Sequence, residues 1–220
     1  MNLKVSENNR AEKRFKIFGV EFFYLGLLGI ATAFIGWLAE NTAKIFLSGY
    51  IDSRFHILPF ISPYALVVFA LHIALGNPDN LAFFGKRVFK KESRKNKILS
   101  NVISYLAICF FVFFGELVVG NLWEILFGVE LWNYSNLPLS VTQYTGVVST
   151  LGFGTGAYLL FKFVYAPALS FVRRKVSYRV AKWIVIILGS LIVLDTLRLI
   201  FYMMFTGEAP IYWKIVIRGK

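Results

Sequence analysis

The chain has 220 residues, of which 57% are hydrophobic and only 16% charged, and its net charge is +12. Soluble domains carry about a quarter charged residues, so the long apolar runs exclude an ordinary soluble protein and place the chain among integral membrane proteins. The positive charge sits in short blocks between those runs, as membrane orientation requires, and this sets nucleic-acid binding aside.

The first 16 residues, MNLKVSENNRAEKRFK, read as a polar basic tail. The apolar run that follows is about twice the length of a signal-peptide core and closes on no small-residue cleavage pattern, so a retained first span is expected over 17–41. A span needs about 20 mostly apolar residues. Further spans are expected over 57–76, 98–128, 144–172 and 182–205, followed by a short tail over 207–220. The second opens with Pro59 and Pro63, tolerable in a first helical turn. The third exceeds the bilayer and must tilt or emerge. The fourth carries Gly146, Gly152, Gly154 and Gly156, which permit close helix packing, and Pro167 near its end. The expected fold is an all-α polytopic helix bundle with five transmembrane helices, forming a single membrane domain over 17–206.

Counted from tail to tail, with Lys182 at the edge of the fifth span included in the loop before it, the Lys and Arg residues between the spans and in the tails number 5, 2, 7, 0, 5 and 3. The alternation has no exception, and the positive-inside rule then sets the N-terminus in the cytoplasm and the C-terminus outside. Within the richest block, NLAFFGKRVFKK interleaves Phe83, Phe84, Val88 and Phe89 with cations. It reads either as a segment lying on the inner leaflet or as a plain stop-transfer charge block.

With that orientation, four carboxylates approach the outer half of the membrane: Glu40, Glu116, Glu124 and Asp195. A charge at the bilayer centre costs about 2.5–3.5 kcal/mol on the lenient insertion scale, so these groups should face the bundle interior and find partners. Lys44, Arg54, His56 and Arg198 are the candidates. Asp195 and Arg198 stand three apart on one helix and are read as an intramembrane ion pair, more structural than functional. Glu116, Gly120 and Glu124 step by four along one helical face. No cation lies within four residues of Glu116, so its reading is a pathway or ligand-site carboxylate. His72 reads as an interhelical hydrogen-bond partner, and Cys109 as a small apolar residue. Trp37, Trp123 and Trp132 sit where an aromatic belt would place them. No HExxH, GxSxG, CxxC or GxxxxGK[ST] motif occurs, so the sequence calls for no metal, no cofactor and no defined catalytic set.

The two halves echo each other. GWLAE sets Gly36 four before Glu40, and GNLWE sets Gly120 four before Glu124; each follows an outward span and precedes an outer loop and a returning span. Two such hairpins would make a parallel internal repeat. The same residues resemble a family of small bacterial membrane proteins, the CmpB-like or type IV group of ABC-transporter permeases. The resemblance rests on Gly36, Trp37 and Glu40, then Arg54, Pro59 and Pro63-Tyr64, then Glu116, Glu124 and Trp132-Asn133-Tyr134-Ser135 ahead of Pro138. Asn133 stands where that family has aspartate, Leu58 where it has glycine before the proline, and Ala65 where glycine follows the tyrosine. The resemblance implies a multi-pass protein of the bacterial inner membrane acting as a permease-like subunit. No nucleotide-binding motif is present, so such a role requires a separate ATPase subunit; a second copy of the chain is a further partner to consider. The expected ligand or pathway site is an outward-facing polar pocket lined by Glu40, Arg54, Glu116 and Glu124, with Trp132, Asn133 and Tyr134 as its lid. Two other readings stay open: a membrane enzyme acting on a lipid-linked or envelope substrate through the glutamates, and a non-catalytic scaffold.

Overall fold

A computed structural model describes residues 14–217; the expectations for the tail before residue 14 and for Arg218 and Lys220 lie outside them. Five helices dominate: α1 (Phe22–Ser48), α2 (Ser62–Leu75), α3 (Arg94–Phe127), α4 (Val147–Lys175) and α5 (Tyr178–Thr206). Serine side chains cap two of the starts: Ser93 accepts from the Asn96 N–H at 3.1 Å, and Ser177 from the Val180 N–H at 3.4 Å. α1, α3 and α5 each stop at a left-handed glycine, at Gly49, Gly128 and Gly207.

Four of the five helices, α1, α3, α4 and α5, are long and apolar enough to cross a membrane, so the expected count of five is not met. The exception is α2. Its 14 residues span about 21 Å at 1.5 Å per residue, short of a bilayer core. The cause is local. Pro63 lacks an N–H and its ring would clash with the carbonyl four residues earlier, so it is tolerated only in a first turn. The helix starts at Ser62, Ile61 before it is extended (φ −102°, ψ 102°), and residues 57–61 stay outside the helix. Gly76, at φ +68°, ends it at the other side. The remaining boundaries shift by a few residues, most at α1, which continues past Asn41 to Ser48.

Packing fixes the order of the bundle. α2 runs back along α1: the Phe22 and Phe69 rings lie 5.8 Å apart at one end, and Ile61 N–H reaches Ala33 O at 3.2 Å toward the other. α4 returns along α3 in the same way, with Tyr105 against Thr155 (3.1 Å) and Glu116 against Ser149 (3.0 Å). α5 runs parallel to α1. The first residues of α1 and α5 meet where Tyr24 donates to Val176 O at 3.1 Å, and Thr196 reaches Ser62 at 3.0 Å further along. One end of the bundle, here the basic end, therefore holds the start of α1, the short β1–β2 hairpin (Lys16–Ile17, Val20–Glu21) and a three-stranded meander, β4–β5–β6, within residues 76–87. The first part of the segment NLAFFGKRVFKK, Asn80 to Arg87, folds into that meander, with Leu81 fully buried. The far end holds a two-stranded sheet in which β3 (Tyr50–Asp52) pairs antiparallel with β7 (Lys214–Val216). The main core fills the basic half around Leu25, Leu75, Ile108, Phe161 and Ala181, while the helices' outer faces carry exposed apolar residues such as Phe110, Leu122 and Leu194. That distribution suits lipid as the solvent.

α4 is continuous but contains a π-helical turn over Leu160–Tyr165. Pro167 follows at once; its ring cannot sit against the carbonyl four residues earlier, and the widened turn relieves that conflict.

The hairpins close through glycine. A Cβ added at Gly36 would fall 2.4 Å from the Tyr64 ring, and one at Gly120 would fall 2.3 Å from the Tyr144 ring. Each ring lies directly on helix backbone. The expected helix-packing role holds for Gly154, against Cys109 of α3; Gly146, just before α4, meets loop backbone at Leu139 and Ser140, and Gly152 and Gly156 meet nothing within 4 Å. Replacement of Gly36 or Gly120 by alanine is therefore expected to destabilise the fold by about 1–3 kcal/mol through overpacking, while Gly152→Ala should be neutral or slightly stabilising. Thermal unfolding of the three variants in detergent checks this.

Candidate functional site

Each carboxylate at the far end is met by donors from the segment that returns toward it. Glu40, near the end of α1, accepts from Tyr64 Oη at 2.9 Å on one oxygen and from Arg54 Nε at 2.6 Å on the other. Glu124, in the last turn of α3, accepts from Tyr144 Oη at 2.7 Å and from the Gln143 amide at 3.0 Å. Both arrangements use the same parts: a glycine, a glutamate four residues on, and a tyrosine whose ring covers the glycine while its hydroxyl holds the glutamate. Glu116, two turns below Glu124, accepts two hydroxyl bonds on one oxygen, from Thr145 and Ser149, both 3.0 Å.

Arg54 reaches Glu40 from a strained turn. Arg54 and Phe55 both have positive φ, 51° and 70°, which costs side-chain-bearing residues about 1–3 kcal/mol each and persists only where the surroundings over-determine it. The surroundings here do so. Asp52, 2% exposed, forms an ion pair with Lys44 and accepts the Arg54 N–H at 3.0 Å, while its own N–H goes to Asn41 Oδ1 at 2.9 Å. From the other side, Arg198 donates to Phe55 O at 3.1 Å. Asp195 accepts the N–H groups of Ile57 and Leu58 (both 3.1 Å) and lies 2.9 Å from Arg198 and 3.3 Å from His56. Asp195 and Arg198 thus pair with each other and together clamp the loop that carries Arg54.

Tyr134 connects the two hairpins. Burial pushes its phenol above the usual range, the charges of Glu116 and Glu40 push the same way, and Arg54 opposes them. Its hydroxyl bonds to Glu116 of α3 and lies in the field of Glu40 of α1. Of the residues singled out from sequence, Glu40, Arg54, Glu116 and Tyr134 form one cluster. Glu124 is exposed and is bonded to Tyr144 and Gln143, and to none of these four. Trp132 braces Tyr144: its indole donates to Tyr144 O at 3.0 Å and its ring meets the Tyr144 ring edge-on at 6.0 Å. Asn133 is exposed and caps the Ser135 N–H at 2.8 Å, a turn-forming role. Tyr64, Tyr144, Thr145, Ser149 and Asp52 carry much of the arrangement and were not chosen from sequence. The recurrence of a tyrosine some twenty residues after each of Glu40 and Glu124 was the one sequence signal for two of them.

Among the described residues no cation is bonded to Glu116, and no group of three metal-ligating side chains converges anywhere. With Glu40 compensated by Arg54, Glu116 supplies the cluster's uncompensated carboxylate, surrounded by hydroxyls. The arrangement suits a cationic or hydroxyl-bearing ligand, or a proton.

Removing Asp195 leaves Arg198 without its carboxylate and two loop N–H groups without an acceptor. Asp195→Ala is expected to lose about 3–5 kcal/mol, measured as a fall in melting temperature. His56 is 6% exposed; burial lowers its pKa below the ordinary 6.5, and Asp195 only partly offsets this. The unfolded chain then binds this proton more readily than the folded one, so stability is full above about pH 6.5 and falls as pH drops through the folded value. A thermal-unfolding series from pH 7 to about 5 should show that fall, with a shallower slope in His56→Gln.

The comparisons with curated proteins and with solved structures give no match. The family described as "Putative ABC-transporter type IV" (CmpB) matches residues 27–200, a stretch that takes in both glutamate–tyrosine arrangements, the Arg54 turn and the Asp195–Arg198 clamp. The chain is a member of that family.

Proposed function

We propose that this protein is the membrane-embedded, permease-like subunit of a transporter, with a ligand site at the far end of the bundle lined by Glu40, Arg54, Glu116 and Tyr134. What supports this reading is a carboxylate, Glu116, held by hydroxyls, a Tyr134 phenol acted on by the charges of both Glu116 and Glu40, and a cation delivered to Glu40 by a strained and heavily anchored turn. Such strain concentrates at functional sites. The ligand class is a small cationic or hydroxyl-bearing solute, for which Glu116 is the anchoring charge and Tyr134 the neighbouring hydroxyl. Membership of an ABC-type family supports a separate ATPase subunit as partner.

The orientation we propose has the basic end in the cytoplasm and the far end outside, in a bacterial inner membrane. Its support is the placement of the cationic blocks around Lys86, Arg94 and Arg173 at one end of the bundle. The shared glycine–glutamate–tyrosine geometry of the α1–α2 and α3–α4 hairpins supports a parallel internal repeat. In that reading α2 is the return of the first hairpin even though its helix is short. An enzyme using Glu40 and Glu116 as acid and base is less well supported, because Glu40 has both oxygens engaged.

Glu116→Gln tests the proposal. The amide oxygen still accepts from Thr145 and Ser149, so stability should change by no more than about 1 kcal/mol, while solute uptake by cells carrying only the variant should drop at least about tenfold. Unchanged uptake at unchanged stability would rule out the carboxylate's role. Purification from native membranes should recover an ATPase subunit; its consistent absence would remove the ABC part of the reading.

A further inference from the structure

A cavity of about 620 Å³ lies at the basic end, opposite the Glu40–Glu116 cluster, where the β1–β2 hairpin, the end of α2 and the last turns of α4 meet. Its lining is two-sided. Phe18, Val20 and Leu169 contribute apolar surface; Asn77, Arg173 and Arg174 contribute donors, and no carboxylate lines it among the described residues.

The cavity is built, not left over. His72 and Tyr165 also line it, both buried. His72 Nε2 lies 2.8 Å from Ile17 O and Nδ1 lies 2.8 Å from Tyr165 Oη. A carbonyl can only accept, so Nε2 carries the hydrogen and Nδ1 accepts from the tyrosine hydroxyl. One imidazole therefore ties the hairpin, α2 and α4 together across the cavity. The π turn of α4 ends at Tyr165, and this widened turn presents that ring to His72. Arg173 is held by Glu21, at 3.0 Å from Nε and 2.5 Å from a terminal nitrogen, and by Gly19 O at 3.2 Å. Arg174 gives its Nε to Ser170 O at 3.3 Å, which engages one of five N–H donors. With Glu21 offsetting Arg173, Arg174 supplies the uncompensated positive charge among the described residues of the lining.

We propose that this cavity binds the phosphate headgroup of an anionic membrane lipid, with the acyl chains along its apolar side. Guanidinium groups suit phosphate oxygens, and basic pockets between membrane helices at the cytoplasmic surface take anionic headgroups. A free phosphate ester would use only the Arg173–Arg174 side and leave the Phe18–Leu169 side in water. Its volume falls within the range of ligand sites.

The test uses the full chain in a mild non-ionic detergent, with binding read by native mass spectrometry. The probes are short-chain phosphatidylglycerol, short-chain phosphatidylcholine and glycerol phosphate. Phosphatidylglycerol should bind roughly fivefold or more tightly than either of the others, and Arg174→Gln should weaken it by roughly the same factor. Ala166→Trp, which fills the cavity and removes no charge, should also weaken it; Gly152→Ala should not. Arg173 is left in place because it holds Glu21. Equal binding of the two lipids, glycerol phosphate binding as tightly as phosphatidylglycerol, or undiminished binding by Arg174→Gln of native melting temperature would each overturn the proposal.

Discussion

A carboxylate carried by an apolar helix must be supplied with donors, and the way this chain meets that demand determines how its hairpins close. Glu40 and Glu124 are each held by a tyrosine hydroxyl, and the ring of that tyrosine rests on the glycine one turn earlier. Steric fit and hydrogen bonding therefore act through a single side chain. The ring sets how near the returning segment can come, and the hydroxyl sets its register along the helix. Glu116 follows the same logic with two smaller donors, Thr145 and Ser149, placed where α4 begins. Gly146 has no side chain to cap α4, and the Ser149 hydroxyl does so by accepting the Gly146 N–H at 3.1 Å. The start of α4 and the environment of Glu116 thus rest on one serine.

The loop after α1 shows how much fixed charge is spent on positioning. Asp52 and Asp195 grip it from two sides, the first through its own side-chain pairings, the second from α5. Both serve the Asp52–Leu58 backbone, and neither is joined to Glu116. Arg54 is the one charged side chain of this loop directed at Glu40. Buried ion pairs contribute little net stability against their desolvation, and here the geometry indicates what they do instead: they hold a backbone conformation that Arg54 and Phe55 would not adopt alone.

Much of this was readable before any coordinates. Apolar run length gives the four long helices, and the i,i+3 spacing of Asp195 and Arg198 gives their pairing. The four-residue step from Gly36 to Glu40 and from Gly120 to Glu124 flags the two places where hairpins close. The assignment of partners was not readable. Lys44, Arg54 and His56 are all plausible mates for any nearby carboxylate, and the choice depends on a left-handed turn that no local propensity favours. Hydroxyl donors are equally hidden, since Thr145 and Ser149 look like ordinary helix-entry residues. Hydropathy overstates the length of α2 because it does not register that Pro63 is tolerated only in a first helical turn. Trp132 and Asn133 drew attention through their motif, yet one braces Tyr144 and the other shapes a turn.

The shortness of α2 has a consequence for the backbone that precedes it. At 14 residues the helix falls roughly 9 Å short of a hydrocarbon core. The chain before it, residues 57–61, is non-helical, yet its N–H groups are all paired within the protein: Ile57 and Leu58 with Asp195, Phe60 with Leu58 O and Ile61 with Ala33 O, while Pro59 has none to pair. Irregular backbone is tolerated at membrane depth only where protein satisfies it. One aspartate from α5 and one carbonyl from α1 thus do for this stretch what further helical turns would have done.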